Sequence, residues 1–146
     1  MHMRLVLDTA TMVSAIRSDV GASRRLLVAA LEGHQIALLV SVPLLIEYQA
    51  VMTRPEHLRA ARLSSREVET LLDAVAAVAE PVRLAFLWRP TLPDADDDMV
   101  LETAVNGNAR AIVTFNRQDF ARAGKDFGFT VIPPAAALQE IRRSVR

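Results

Sequence analysis

Five short apolar runs punctuate the chain, RLVLD at 4–8, IALLV at 36–40, VRLAF at 82–86, AIVTF at 111–115 and TVI at 130–132, with helix-like stretches between them. Strands that read as near-continuous hydrophobic runs are those buried on both faces, the condition of a parallel sheet. Parallel neighbours need crossover connections, and these are usually helices. The alternation therefore predicts an α/β domain with a central, mostly parallel sheet of about five strands and helices on both faces. At 146 residues, without repeat, linker or low-complexity segment, residues 1–146 read as a single domain.

Local signals place the helices. A first helical stretch spans most of Thr11 to Gly33, interrupted near Asp19 to Ala22 and restarted with Ser23 as cap. Ser41 with Pro43 two residues on marks a helix start, and Arg54-Pro55 ends that helix after Met52. A short helix follows over Glu56 to Arg62, then Ser64 and Glu67 form a capping box that opens a long helix to about Ala79. Pro81 introduces the third strand, the PTLPDADDD loop leads into a helix from Asp96 to Asn106, a short helical piece follows AIVTF, and Pro134 opens the terminal helix.

Composition removes several classes of function. The longest apolar stretch, IALLVSVPLLI, is broken by Ser41 and Pro43 and falls short of the roughly 20 residues that span a bilayer. MHMRLVLD runs straight into a strand without the apolar core of a secretory signal, so the expected location is cytoplasmic and no membrane partner is expected. With no cysteine there is no disulfide, no thiolate catalysis and no cysteine-bound zinc. Formal net charge is zero, so the bulk basic footprint of a nucleic-acid binder is missing. The cations are nearly all arginine, Lys125 being the one lysine, and they group at Arg24 and Arg25, from Arg54 to Arg62 with His57, and at Arg142, Arg143 and Arg146. Arginine forks match phosphates bidentately, while solvated helix faces and the helix dipole account for such groups equally well.

Acidic residues recur where the strands end. In an open parallel sheet the functional crevice lies outside the carboxyl ends of the strands, so acids distant in sequence can converge there. Asp8 closes the first strand, where it also suits a helix cap. Glu47 shares a helical stripe with Leu44, Tyr48 and Val51, a costly place for a carboxylate unless it is paired or metal-bound. Asp94, Asp96, Asp97 and Asp98 exceed what capping one helix requires. Helical spacing puts Asp97 on the inward face with Val100, Leu101 and Ala104, and Asp98 further outward with Glu102. Asp97 is thus the candidate ligand and Asp98 an accessory residue. Asn116 and Asp119 follow AIVTF at a spacing that suits either a cap or the crevice.

Taken together, the order is strand-acid, helix-glutamate, acidic helix start, then strand-Thr-x-Asn-x-x-Asp-Phe. In this the chain resembles the PIN-domain nucleases, in particular the VapC-like toxin components of bacterial toxin–antitoxin pairs. The likeness covers essentially the whole chain and rests on VLDTATMVSAI, LLIEYQAVMTRPEH, LPDADDDMVLETAVNGNARAIVTFNRQDF and FGFTVIPPAAAL. It implies a metal-dependent ribonuclease with Mg²⁺ or Mn²⁺ held by Asp8, Glu47 and Asp97, and with Asn116 as a further catalytic position. Thr114 would orient this last corner through its hydroxyl. It also implies an RNA substrate, a cognate antitoxin that covers the acidic crevice, and a homodimer. The apolar positions from Leu26 to Leu31 and from Leu71 to Val78 suit either a dimer face or the core. The chain departs from the family's opening Asp-Thr-Asn by carrying Ala10 in the third place, which removes an amide near Asp8 unless Thr9 or Thr11 replaces it. The alternative is accordingly a PIN scaffold that binds RNA or a protein without cutting.

Other enzyme classes fit less well. A haloacid-dehalogenase-type phosphatase needs an acid at Ala10, and a receiver domain needs paired acids after the first strand and a late lysine. His2, His34 and His57 are not placed for a nucleophilic triad, consistent with hydrolysis by activated water. Single-stranded RNA, whose bases can be splayed out, is the substrate that suits a shallow groove. Phe115, Phe120, Phe127 and Phe129 read as core, leaving Trp88 in its loop as the aromatic to stack on a base.

Overall fold

The computed structural model describes residues 2–33, 35–85 and 95–144. In chain order the elements are β1 (Met3–Leu7), α1 (Thr9–Arg17), α2 (Ala22–Leu31), β2 (Ile36–Val40), α3 (Val42–Met52), α4 (Pro55–Ala61), α5 (Ser65–Val78), β3 (Glu80–Pro81), α6 (Ala95–Asn106), β4 (Ala111–Val113), α7 (Arg117–Phe127), β5 (Thr130–Ile132) and α8 (Pro134–Ser144). Every described strand pairing is parallel, in the order β3-β2-β1-β4-β5. Leu5 of the central strand is in register with Leu38 on one side and Ala111 on the other. Leu5, Val6, Leu7, Leu39, Ile112 and Val113 are all essentially inaccessible, as the uninterrupted apolar runs require.

The strand order decides where a site can form. From β1 the chain steps outward to β2 and β3, then crosses back to β4 and moves the other way to β5. Right-handed crossovers place the connections of the two halves on opposite faces, and α6 packs against α7 while α2 packs against α8. The order reverses between β1 and β4, so a crevice opens beyond their carboxyl ends, between the segments that begin at Asp8 and Thr114.

Several boundaries behave as the sequence dictates. Ser41 caps α3 through a bond accepted from Leu44 N–H, and Ser64 and Glu67 complete the capping box of α5. Four expectations are corrected. The cap of α2 is Gly21, and Ser23 is a buried residue inside that helix. Among the described residues the third strand is Glu80–Pro81, with Val82 adding one bond to Val40 O and Arg83 to Ala85 following outside the ladder; Phe86 lies outside the described residues. Pro81 brings no N–H to the sheet, which suits a strand at the edge. The exposed Glu80 side chain is tied to Arg4 of β1, and this bond holds the Glu80 carboxyl below its ordinary range.

The third correction concerns α7, an eleven-residue helix where a short piece is predicted. Gly124 lowers the intrinsic helical signal, yet it is required there: a Cβ would come within 2.8 Å of Phe129 O. Gly128 then ends the helix with φ 80°, the left-handed conformation that glycine adopts without strain. The fourth concerns α6. Val100, Leu101 and Ala104 are buried as expected, but so are Asp98 and Glu102, at 1% and 0% exposure. The helix is enclosed by β1, β2 and β4 and also by α3 and α7, so the stripe that a two-sided reading assigns to solvent is covered as well.

Candidate active site

Asp8 is built into the protein from three directions. Its backbone N–H donates to Val113 O at 3.1 Å, fixing the exit of β1 beside that of β4. As N-cap of α1 its Oδ1 accepts from Thr11 N–H at 2.8 Å. Its Oδ2 accepts from the Thr114 hydroxyl, and the same hydroxyl oxygen accepts from Asn116 N–H at 3.0 Å. Thr114 thus couples the first acid to the start of α7. Thr11 donates its own hydroxyl to Val113 O at 3.1 Å, so it acts on Asp8 only through its backbone.

Tyr48 braces the same strand exit from α3. It is fully buried and its phenol donates to Leu7 O. Burial, and then the negative charge of Asp8, push its pKa well above the ordinary phenol value, so it stays a neutral donor. Tyr48 was visible in the sequence only as a neighbour of Glu47. Its supporting role depends on a contact across 41 positions.

A cleft of about 300 Å³ opens above these bonds. Asp8, Glu47, Asp97, Asn116 and Asp119 all line it, so the structure gathers acids from the exit of β1, the middle of α3, and the starts of α6 and α7. Asp97 stands half-buried at the cleft, whereas Asp98 is buried beside it and does not line it. Asp98 therefore points inward, contrary to the outward orientation read from helical spacing. Asn116 is exposed, is the N-cap residue of α7 and makes no capping bond with its side chain. Asp119 is half-buried in the first turn of α7.

Ala10 lines the cleft without a polar group. Next to it, the Thr9 hydroxyl oxygen is buried with no hydrogen-bond partner among the described residues. A buried polar atom left unsatisfied at the edge of a cleft has a hydrogen bond to offer a ligand or a water. Arg54 and His57 also line the cleft, and no reading of spacing predicts this: they come from the junction of α3 and α4 and appear in the sequence as part of an arginine-rich surface run.

Two aromatic expectations are corrected. Phe120 and Phe129 are core residues, but Phe115 and Phe127 are 55% and 39% exposed. Phe115 lies between Thr114 and Asn116, beside the cleft, so an exposed aromatic flanks the site. Asp94, Trp88 and His34 lie outside the described residues.

The acids of the cleft, Asp8, Glu47, Asp97 and Asp119, supply oxygen donors, the chemistry of a hard divalent cation. Each carboxylate oxygen of Asp8 can accept a further bond beyond those it makes. Among the described residues, however, no three His, Asp or Glu side chains stand close enough together to hold a metal ion as placed. Coordination by Asp8, Glu47 and Asp97 would therefore draw the acids together from their present positions.

The family profile described as PIN domain matches residues 4–118, more than three-quarters of the chain. The chain belongs to the PIN-domain family. PIN domains are generally nucleases, and they generally use divalent metal ions. The matched span of this PIN domain includes Asp8, Glu47, Asp97 and Asn116 and stops one residue short of Asp119. No curated protein matches the chain. Among the described residues of the PIN domain, no helix is long and apolar enough to cross a membrane.

Proposed function

We propose that this PIN domain is a metal-dependent endoribonuclease that hydrolyses RNA phosphodiester bonds, and that it is the toxin of a bacterial toxin–antitoxin pair. The observation that carries the nuclease reading is the convergence of Asp8, Glu47 and Asp97, from three separate elements, on one cleft at the reversal point of the sheet. These three residues would hold Mg²⁺ or Mn²⁺, with Asn116 and Asp119 lining the same cleft. When bound, such an ion supplies the Lewis acid that polarises a phosphate and activates the attacking water. The chain's own contribution is to fix the geometry. Thr114 and Thr11 hold the two oxygens of Asp8, Tyr48 holds the strand exit behind it, and Thr9 keeps a buried hydroxyl with no partner among the described residues. Phe115 adds an exposed ring on which a splayed base can stack.

The toxin assignment, the antitoxin and the homodimer rest on the sequence resemblance. A largely apolar groove of about 620 Å³, lined in part by the exposed Val28 and the half-buried Leu31 and Leu71, adds apolar surface from the two segments that suit a dimer face. Leu26, Leu27, Leu72 and Val75 of those segments belong to the core.

The test is cleavage of a panel of structured RNAs by purified protein in Mn²⁺, with EDTA and Asp8→Ala as controls. Cleavage lost in both controls is the expected result. A folded protein that binds Mn²⁺ tightly and cuts no RNA would favour the second reading, a PIN scaffold that binds without cleavage. That reading is motivated by Ala10, which leaves the cleft one polar group short.

A further inference from the structure

The lining of the cleft carries both signs of charge. Beside the carboxylates it includes Arg54 and His57, from the junction of α3 and α4. Arg17, in the last turn of α1, stands behind His57 with Nη1 3.4 Å from Nδ1. A guanidinium can only donate, so in this contact Nδ1 of His57 is the acceptor.

Arg54 is free to act. It is exposed, it precedes α4 without a side-chain capping bond, and among the described residues no ion pair engages it although acids share its cleft. Its backbone, φ −61° and ψ 139°, is the extended conformation that Pro55 imposes on its predecessor. The stem of Arg54 is thereby fixed in direction before α4 begins. His57 is held in the same turn by its N–H bond to Arg54 O at 3.0 Å.

Building on the nuclease reading, we propose that Arg54, with His57 beside it, holds a backbone phosphate of the bound single strand next to the phosphate presented to the acids. Net charge on the chain is zero, so net-charge attraction does not draw a polyanion in, and a local cation is the means of receiving it. The carboxylates repel phosphate until a metal neutralises them. Arg54 accepts an anion with no metal at all, and its fork matches two phosphate oxygens at once. Arg54 is thus a positioning residue for the strand, and its share of binding persists in chelator.

The experiment uses the whole chain and the fluorescence anisotropy of a short single-stranded oligoribonucleotide in EDTA over a salt series. It compares wild type with Arg54→Gln, Arg54→Lys and, on α8 away from the cleft, Arg143→Gln. Arg54→Gln is expected to weaken binding several-fold and to lower the slope of log affinity against log salt by about 0.7, the value for one phosphate contact on a single strand. Arg54→Lys should keep that slope while losing part of the affinity, Arg143→Gln should match wild type, and all should melt alike. In Mn²⁺, Arg54→Gln should raise KM for cleavage and leave kcat near wild type. An unchanged affinity and slope in Arg54→Gln, or no binding of the oligonucleotide by wild type in EDTA, overturns the proposal. The two readings separate cleanly. Cleavage with an unchanged slope leaves the nuclease standing and removes Arg54 from it, whereas an Arg54-dependent slope with no cleavage keeps the strand-binding role of Arg54 and removes the nuclease.

Discussion

Asp8 serves the fold and the proposed chemistry with the same two oxygens, so its substitutions separate the roles. Asp8→Asn retains an acceptor for Thr11 N–H but puts an amide nitrogen where Oδ2 accepts from Thr114, and it should abolish cleavage while the protein stays folded. Asp8→Ala also loses the cap, which costs about 1 kcal/mol, so it should fold but melt a few degrees lower by thermal circular dichroism. Equal activity in Asp8→Asn and wild type would remove Asp8 from the mechanism. Thr114 is the clearest positioning residue. Thr114→Val leaves the buried Oδ2 of Asp8 and the N–H of Asn116 without their partner, a loss of about 1–3 kcal/mol. Support of this kind around a metal site is worth about 10–100-fold in metal affinity, so titration of Mn²⁺ should show weakening in that range, and unchanged affinity would confine Thr114 to the fold. At position 10 the prediction has the opposite sign. Ala10→Asn restores a polar group to the lip of the cleft beside Asp8, and it should raise Mn²⁺ affinity and cleavage rate; no gain would show that the Thr9 hydroxyl already meets the need.

Elements were legible in the sequence where their cause is local. The capping box at Ser64 and Glu67, the Ser41 cap and the apolar run of β1 are signals written in neighbouring residues, and each appears in the fold. Signals that depend on distant packing were not legible. Gly124 argues against a helix until Phe129 is seen to lie against it, and Asp98 with Glu102 reads as a solvent stripe until α3 and α7 close over α6. The site divides in the same way. Asp8, Glu47 and Asp97 were readable because acids after strands or on apolar helical stripes need a reason, whereas Tyr48, Arg54 and His57 have ordinary local explanations and gain meaning only from what they face. Gly107 is a further case, ordinary in sequence and critical in packing. A Cβ there would lie 2.8 Å from a methyl of Val82 and 2.9 Å from Thr103 O, where α6 ends over the sheet. The backbone oxygen cannot move aside without unwinding the helix end, so Gly107→Ala should destabilise by about 1–3 kcal/mol. Chemical denaturation would show this as a lower midpoint at unchanged slope, and a wild-type midpoint would mean that the helix end can shift to make room.

On the scale of the whole molecule, the acids that line the cleft come from four parts of the chain that only the complete sheet brings together: the exit of β1, then α3, α6 and α7. An unfolded chain offers no such set, so a divalent ion that binds the cleft binds the native state alone and must stabilise it by mass action. At a free concentration of 100 times Kd that gain is about 2.7 kcal/mol, which for a domain of this size raises Tm by roughly 5–10 °C. Differential scanning calorimetry with and without Mn²⁺ measures it directly, with Asp8→Asn as the control. The shift should shrink sharply in that variant, and a shift of equal size in both proteins would place the ion somewhere other than this cleft.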